Sequence, residues 1–151
     1  IEARLANDVD ALVGLTQFLT NNCVKVAEGI GSPPLCNEDE ADGTLIEVLP
    51  LVFSEGTYVR RDDIQTRFTP APYTLHAVYR VADDPMQAEA FPAGEYGVIF
   101  IDESQSFSNA VNLRVNAEGI VRIDYSAWPD IISGFGIGEF ILPPLVAVPS
   151  A

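Results

Sequence analysis

Apolar and polar residues alternate through the second half of the chain, which is the pattern of half-buried β-strands. In residues 73–82 (YTLHAVYRVA) the two alternating sets are Leu75, Ala77, Tyr79 and Val81 against Thr74, His76, Val78 and Arg80. Similar runs predict strands at 44–53, at 95–103 and, as a pair, within 109–128. The pair surrounds residues 116–119 (NAEG), where we expect a hairpin turn with Gly119 at positive φ. Pro50 predicts that the strand at 44–53 is an edge strand or is interrupted, because proline has no N–H for a central ladder.

A helix is predicted before these strands, at residues 7–22. Asn7 or Asp8 can cap its start, and Asp10 lies in the first turn, where the helix dipole favours a negative charge. Helical spacing then gives one apolar stripe, made of Leu5, Val9, Leu12, Val13, Thr16 and Leu19. The chain therefore predicts an α+β fold, in which an N-terminal helix packs on an antiparallel meander of three or four strands.

Residues 134–151 (GFGIGEFILPPLVAVPSA) form an extended apolar C-terminal tail. We expect its glycines to act as a hinge and its apolar residues to be buried, because soluble monomers avoid an exposed apolar strip. Three burials remain open: the last strand of the chain's own sheet, a proline-rich linker, or a strand inserted into a neighbouring copy. The residues predicted to serve self-assembly are Gly134, Gly136, Gly138, Phe140, Ile141, Leu142, Leu145, Val146 and Val148.

The net charge is −14, from 22 acidic and 8 basic residues. The basic residues form no stripe, so neither nucleic acid nor an anionic membrane surface is an expected partner. No run of about 18 apolar residues occurs, so no membrane span is expected. The densest acidic segment, 37–43 (NEDEADG), lacks the spacing of a calcium-binding loop, although a divalent-cation site there is the alternative to a solvated charge run. We therefore predict neither a cofactor nor a metal site.

The chain has two cysteines, Cys23 and Cys36, on either side of a segment rich in glycine and proline. A disulfide would stabilise such a loop, whereas two cysteines alone do not make a zinc site. The alternative is a pair of free, buried thiols in a cytosolic protein. We favour the disulfide, which predicts a secreted or cell-surface protein. The predicted organisation is a disulfide-stapled α+β domain at 1–133, followed by the glycine hinge and apolar strand at 134–151.

The sequence contains few candidates for catalysis. No G-x-S-x-G nucleophile motif occurs, and His76 is expected at the surface or rim of its strand. Asp124 and Tyr125 are neighbours in a predicted strand, so they face opposite sides of the sheet and only one of them can line a pocket. A pocket acid with a raised pKa could abstract a proton, but a solvated Asp and a packed Tyr are the simpler interpretation. We predict that the chain is not an enzyme.

Two segments, DVDALVGLTQFL (8–19) and EGIVRIDYSAW (118–128), resemble the steroid-isomerase-like α+β roll, also called the cystatin-like or nuclear-transport-factor-like fold. The resemblance implies a curved sheet wrapped around a helix, with a cone-shaped pocket and, in the enzymes of that family, an acidic base or an Asp–His pair. No motif transfers those catalytic positions to this chain, and the loop between Cys23 and Cys36 departs from the family pattern. The run GIGSPPLC…DGTLIEVLP…EGTYVRRDD is similar to uncharacterised secreted bacterial domains, which implies a location.

These observations predict a secreted structural protein that self-associates through its C-terminal strand, as an extracellular filament or surface-assembly subunit. Its expected partners are other copies of itself, with cell-surface components as a further class. The alternative is a small-molecule-binding protein or a proton-transfer enzyme with a pocket in an α+β roll. A third hypothesis is a carbohydrate or adhesion module, in which Trp128 and the tyrosines stack on sugars.

Overall fold

The computed structural model describes residues 1–27, 29, 31–53, 55–68, 70–85, 90–102, 104, 109–127, 130–133 and 136–144. In these residues two short α-helices are followed by eight strands, and two 3₁₀ helices lie between strands. The helices are α1 (Glu2–Leu5) and α2 (Val9–Gly14), and the 3₁₀ helices are Arg61–Arg67 and Asp130–Ser133. The strands are β1 (Leu19–Asn22), β2 (Leu45–Val52), β3 (Gly56–Arg60), β4 (Tyr73–Val81), β5 (Tyr96–Asp102), β6 (Asn109–Val115), β7 (Ile120–Ala127) and β8 (Ile137–Leu142). None of the described helices is long and apolar enough to cross a membrane.

The eight strands form one mixed sheet in the order β1-β2-β7-β6-β5-β4-β8, with β3 paired to β2. All described pairs are antiparallel except β2 and β7, which run parallel. Val48 pairs with β1 and β3 at once, and Val52 pairs with β3 and β7 at once. Strands β1 and β7 therefore lie end to end on the same side of β2. Among the described strands, β1, β3 and β8 each pair with a single neighbour and are therefore edge strands.

The fold is mainly β, with eight strands and two short α-helices. The predicted α+β fold, with one long helix packed on the sheet, is therefore corrected. The helix predicted at 7–22 is wrong in its second half. Asp8 caps α2 by accepting a hydrogen bond from the backbone N–H of Ala11 (3.0 Å), as expected, but the helix ends at Gly14. Residues 19–22 pair with β2 instead, because tertiary pairing outweighs the helical propensity of a segment that follows a glycine.

The strand predictions for the second half of the chain are confirmed. Strands β4, β5, β6 and β7 lie within the predicted ranges, and residues 116–119 form the β6–β7 turn. Gly119 has φ 151°, and the side chain of Asn116 accepts hydrogen bonds from the backbone N–H groups of Glu118 and Gly119. Pro50 was predicted to mark an edge strand or a break, but β2 is continuous over Leu45–Val52 and has partners on both sides. Pro50 lies in β2 where the partner on one side changes from β1 to β7, and it pairs there with β3 alone.

Alternating residues of the strands build two separate cores, one on each face of the sheet. On the first face, α2 and the 3₁₀ helix 61–67 pack on the strands, and the buried residues include Leu12, Leu49, Leu51, Ile64, Phe68, Val98, Phe100, Val111, Leu113 and Ile123. On the second face, the 3₁₀ helix 130–133 and β8 cover a smaller cluster, made of Ala77, Tyr79, Ile99, Ile101, Ala110 and Ile131. Among the described residues, each face of the sheet therefore carries a hydrophobic core of its own.

Gly97 provides a test of the packing on the second face. A Cβ at this position would overlap the ring of its cross-strand partner Tyr79, which is fully buried. We expect Gly97→Ala to lower the free energy of unfolding by about 1–3 kcal/mol, the usual cost of overpacking a core. The matched control is Gly14→Ala, where a Cβ meets no atom within 4 Å. In urea unfolding this control should change stability by less than about 0.5 kcal/mol, and equal losses in both variants would contradict the packing.

Candidate functional site

A cleft of about 550 Å³ lies where several strands end at the same end of the sheet. Strands β4 and β6 begin there, while β5 and β7 end there, because these neighbours are antiparallel. Strand β2 runs parallel to β7 and ends there too. The volume is in the range of small-molecule sites. The lining residues are Phe53, Pro70, Ala71, Pro72, Tyr73, Asp102, Ser104, Asn109, Ala110, Val111, Tyr125 and Ser126.

The aromatic part of the cleft is built on a stacked pair of rings. The rings of Phe53 and Tyr125 lie 4.9 Å apart, centroid to centroid, with an interplanar angle of 12°. The hydroxyl of Tyr125 donates a hydrogen bond to the backbone carbonyl of Arg67 (3.2 Å), which fixes the ring. Phe53 is 46% exposed, so part of an apolar ring faces solvent. Such a surface suits a ligand with a flat apolar face.

The polar part of the cleft centres on Asp102, which is only 4% exposed. Its Oδ1 accepts hydrogen bonds from the hydroxyl (2.6 Å) and the backbone N–H (2.9 Å) of Ser104. The Ser104 hydroxyl, followed by its N–H, holds the pKa of Asp102 below the ordinary value, so the carboxylate is ionised at neutral pH. Among the described residues no donor contacts the other oxygen, Oδ2, which leaves an acceptor for a ligand.

Arg4 lies behind the cleft and not in it. Its guanidinium is 3.7 Å from the centroid of the Tyr73 ring, and the residue is 1% exposed. Burial lowers the pKa of Arg4, although the nearby Tyr73 and Asp102 act in the opposite direction. Tyr73 is also the cross-strand partner of Asp102. A buried positive charge therefore stands behind one wall of the cleft, close to the carboxylate that lines it.

A second depression, of about 410 Å³, adjoins the cleft at Phe53, which lines both. Its other walls come from the loop within the disulfide and from the β2–β3 turn. They are Ala27, Gly29, Gly31, Ser32, Pro33, Pro34, Leu35, Glu55, Gly56 and Thr57. The two depressions share a composition of prolines, hydroxyl groups and one carboxylate. The surface on either side of Phe53 is therefore concave.

Four charged side chains, three of them buried and Asp124 partly buried, lie together on the second face of the sheet, and we call them the ion network: Asp84, Arg114, Arg122 and Asp124. The Nε atoms of both arginines lie 2.7 Å from the carboxylate of Asp124, and Nη2 of Arg122 lies 2.6 Å from Asp84. Asp84 and both arginines are at most 1% exposed at the side chain. Burial acts to lower the pKa of Arg122, but hydrogen bonds and charge from Asp124 and Asp84 outweigh it and raise that pKa.

The predicted pair Asp124 and Tyr125 is split between the two faces, as the alternation required. Tyr125 lines the cleft, whereas the carboxylate of Asp124 is engaged by two arginines of the ion network. Asp124 is therefore an ion-pair member, and neither the solvated side chain nor the pocket base of the sequence hypotheses. His76 is also corrected: it is 5% exposed instead of lying at the surface, because the register of β4 shifts between Leu75 and Ala77.

The disulfide between Cys23 and Cys36 is confirmed, with a Cα–Cα distance of 4.9 Å. The arms of its loop are held by backbone hydrogen bonds between Val24 and residues 34 and 36. The acidic segment 37–43 is partly tied to basic groups. Glu40 forms a 2.6 Å ion pair with Arg60, which lowers the pKa of Glu40, and Asp42 accepts a hydrogen bond from the backbone N–H of Lys25.

The described part of the predicted C-terminal tail belongs to the chain's own sheet. Phe140, Ile141 and Leu142 lie in β8, which pairs with β4, and the Phe140 ring packs edge-to-face on Tyr79. A Cβ at Gly136 would crowd Asp84, and one at Gly138 would crowd the backbone of Arg80, so both glycines sit at close contacts. Other predicted residues lie outside the described ones, namely Trp128, Gly134, Leu145, Val146 and Val148.

Sequence reasoning missed most of the residues that form the cleft, in particular Phe53, Tyr73 and Asp102, and it also missed Arg4, which lies behind it. A usable signal was present: Phe53, Tyr73 and Asp102 lie at or next to the ends of predicted strands, which antiparallel pairing brings to one end of a sheet. The helical residue Arg4 offered no such signal. Its position under Tyr73 depends on how α1 packs on the sheet.

No protein-family model matches the chain, and no match exists among the curated proteins or the solved structures that were compared with it. The resemblance to the steroid-isomerase-like roll therefore stays a prediction.

The phenol of Tyr125 is expected to titrate far from its ordinary value, because burial raises its pKa from 10.0 to about 12. The folded protein favours the neutral phenol. The neutral phenol of Tyr125 therefore stabilises the folded state in full below pH 10, and this stabilisation is lost as the pH rises through 12. In a spectrophotometric titration, Tyr125→Phe should remove one of two absorbance steps near pH 12, the other belonging to Tyr79. A step lost near pH 10 instead would contradict the burial of Tyr125.

Proposed function

We propose that this chain is an extracellular ligand-binding domain that takes a small organic molecule into the cleft at the end of its sheet. The observation that carries the proposal is the combination of an apolar aromatic wall and a nearly buried carboxylate oxygen in one cavity of about 550 Å³. Binding sites typically join an apolar lining to a few placed polar groups. The disulfide supports the extracellular location, since disulfides persist in oxidising compartments.

The lining supports binding rather than catalysis. Asp102 accepts two hydrogen bonds from Ser104, and its pKa is held below the ordinary value, which makes it a weak base. Tyr125 donates to a backbone carbonyl, and its pKa is raised to about 12, which makes it a weak acid. An acid with a lowered pKa and a phenol with a raised pKa are poor at proton transfer, so these groups suit hydrogen bonding to a ligand. We therefore keep the proposal that the chain is not an enzyme.

A screen of small cyclic and aromatic fragments by saturation-transfer NMR tests the binding proposal. We expect several fragments to bind the wild-type chain, and Phe53→Ala to weaken them by about tenfold, since a stacked aromatic contact contributes on the order of 1 kcal/mol beyond its buried area. Phe53 is 46% exposed, so this variant should remain folded.

Tyr96→Ala is the matched control for this screen. Tyr96 begins β5, at the opposite end of the strand from Asp102, so removing its ring leaves the cleft intact. Fragment binding that is absent, or that Phe53→Ala and Tyr96→Ala reduce equally, would overturn the proposal.

A second candidate function is self-association through the C-terminal strand, which remains our proposal for assembly. The observation that favours it is the position of β8 at an edge of the sheet, with Ile141 56% exposed. An edge strand presents unpaired backbone groups that another chain can extend. The irregular pairing between β8 and β4, with two shifts of register, also supports exchange of this strand between copies. A head-to-tail arrangement of such contacts builds a filament.

Assembly is tested by negative-stain electron microscopy and sedimentation of the wild-type chain beside Ile141→Lys. We expect oligomers or filaments from the wild type and monomers from the variant, because a lysine on an edge strand opposes pairing. Val26→Lys is the control, since Val26 is a 75% exposed apolar residue in the disulfide loop. Monomers from the wild type across the accessible concentration range would exclude the assembly proposal.

A further inference from the structure

Asp102 points to a ligand that donates hydrogen bonds. Its carboxylate is ionised at neutral pH and lines the cleft, and Oδ2 receives no donor from the described residues. A carboxylate can only accept hydrogen bonds. Because Asp102 is 4% exposed, a ligand bound in the cleft would replace much of the remaining water at this oxygen and must supply a donor in its place.

Charge limits which ligands suit the cleft. Asp102 is the one charged side chain among the described residues that line the cleft, and the whole chain carries −14, so an anion is repelled. For a cation, two nearby arginines offset part of the attraction of Asp102. The guanidinium of Arg4 lies against the Tyr73 ring, and the positive charge of Arg67 acts on Tyr125. The ligand that fits both conditions is neutral and rich in hydroxyl groups.

The shape of the surface indicates an elongated ligand. The exposed ring of Phe53 lines both depressions, one with Asp102, Ser104 and Ser126 and the other with Glu55, Ser32 and Thr57. Each depression thus offers one carboxylate, hydroxyl groups and prolines beside a shared aromatic ring. We infer that this surface binds a neutral oligosaccharide, with one sugar ring on Phe53 and further rings in the depressions on either side of it. This inference rests on the proposed ligand-binding function and names its ligand class.

Calorimetric titration with cellotetraose, maltotetraose and tetra-N-acetylchitotetraose tests the inference. At least one of them should bind, and it should bind about tenfold more tightly than its disaccharide, because the longer chain occupies both depressions. Phe53→Ala should weaken binding by about tenfold or more, and Asp102→Asn and the exposed Glu55→Gln by about tenfold each, since hydrogen bonds to charged groups are among the stronger ones. Tyr96→Ala should leave affinity unchanged.

Acetylcholine and tetragalacturonate serve as the cationic and anionic probes. Binding of the neutral tetrasaccharide should change less than twofold between about 50 and about 500 mM salt, whereas ionic ligands lose affinity as screening increases. If the fragments of the NMR screen bind the cleft but the three neutral tetrasaccharides do not, the oligosaccharide inference is wrong and the ligand-binding function stands. If acetylcholine or tetragalacturonate binds instead, the inference fails in the same way. If neither fragments nor sugars bind, both proposals fail.

Discussion

The ion network on the second face is the constraint on which the rest of the sheet depends. Its two arginines come from β6 and β7, and Asp84 comes from the connection that follows β4. Buried charges are tolerated only when they are paired, and removing one partner of such a pair typically costs about 3–5 kcal/mol. The two positive and two negative charges balance. Their pairing therefore holds that connection against β6 and β7, and it specifies this arrangement more than it adds stability.

The aromatic wall of the cleft depends on the same strand register as this network. Asp124 faces the second side of the sheet and is held by Arg114 and Arg122. Because neighbouring strand residues face opposite ways, the next residue, Tyr125, must face the first side, where it stacks on Phe53. A one-residue slip of β7 would move Tyr125 to the second face and Arg122 to the first, which would remove the aromatic wall and break the ion network. The binding surface and the buried charges are thus two consequences of one strand register.

The sequence predicts the strands well where local chemistry decides and poorly where distant pairing decides. The β6–β7 hairpin was predictable because Asn116 and Gly119 specify its turn. The disulfide was predictable because a loop rich in glycine and proline joins two cysteines. The end of the helix at Gly14 was not predictable, because residues 19–22 pair with β2, which lies more than 20 residues further along the chain. The site was mostly missed for the same reason: its residues are distant in sequence and meet only after the strands are ordered.

The parallel pair of β2 and β7 has a consequence for how the chain acquires its fold. Leu51 and Ile123 are paired although they are 72 residues apart, the difference between positions 51 and 123, whereas β5, β6 and β7 follow one another through consecutive antiparallel pairings. Contacts between distant positions form slowly, because closing the intervening loop lowers the entropy of the chain before the contact adds any favourable free energy. During synthesis, β1 can pair with the first half of β2, but the end of β2 at Leu51 and Val52 stays unpaired on that side until β7 emerges.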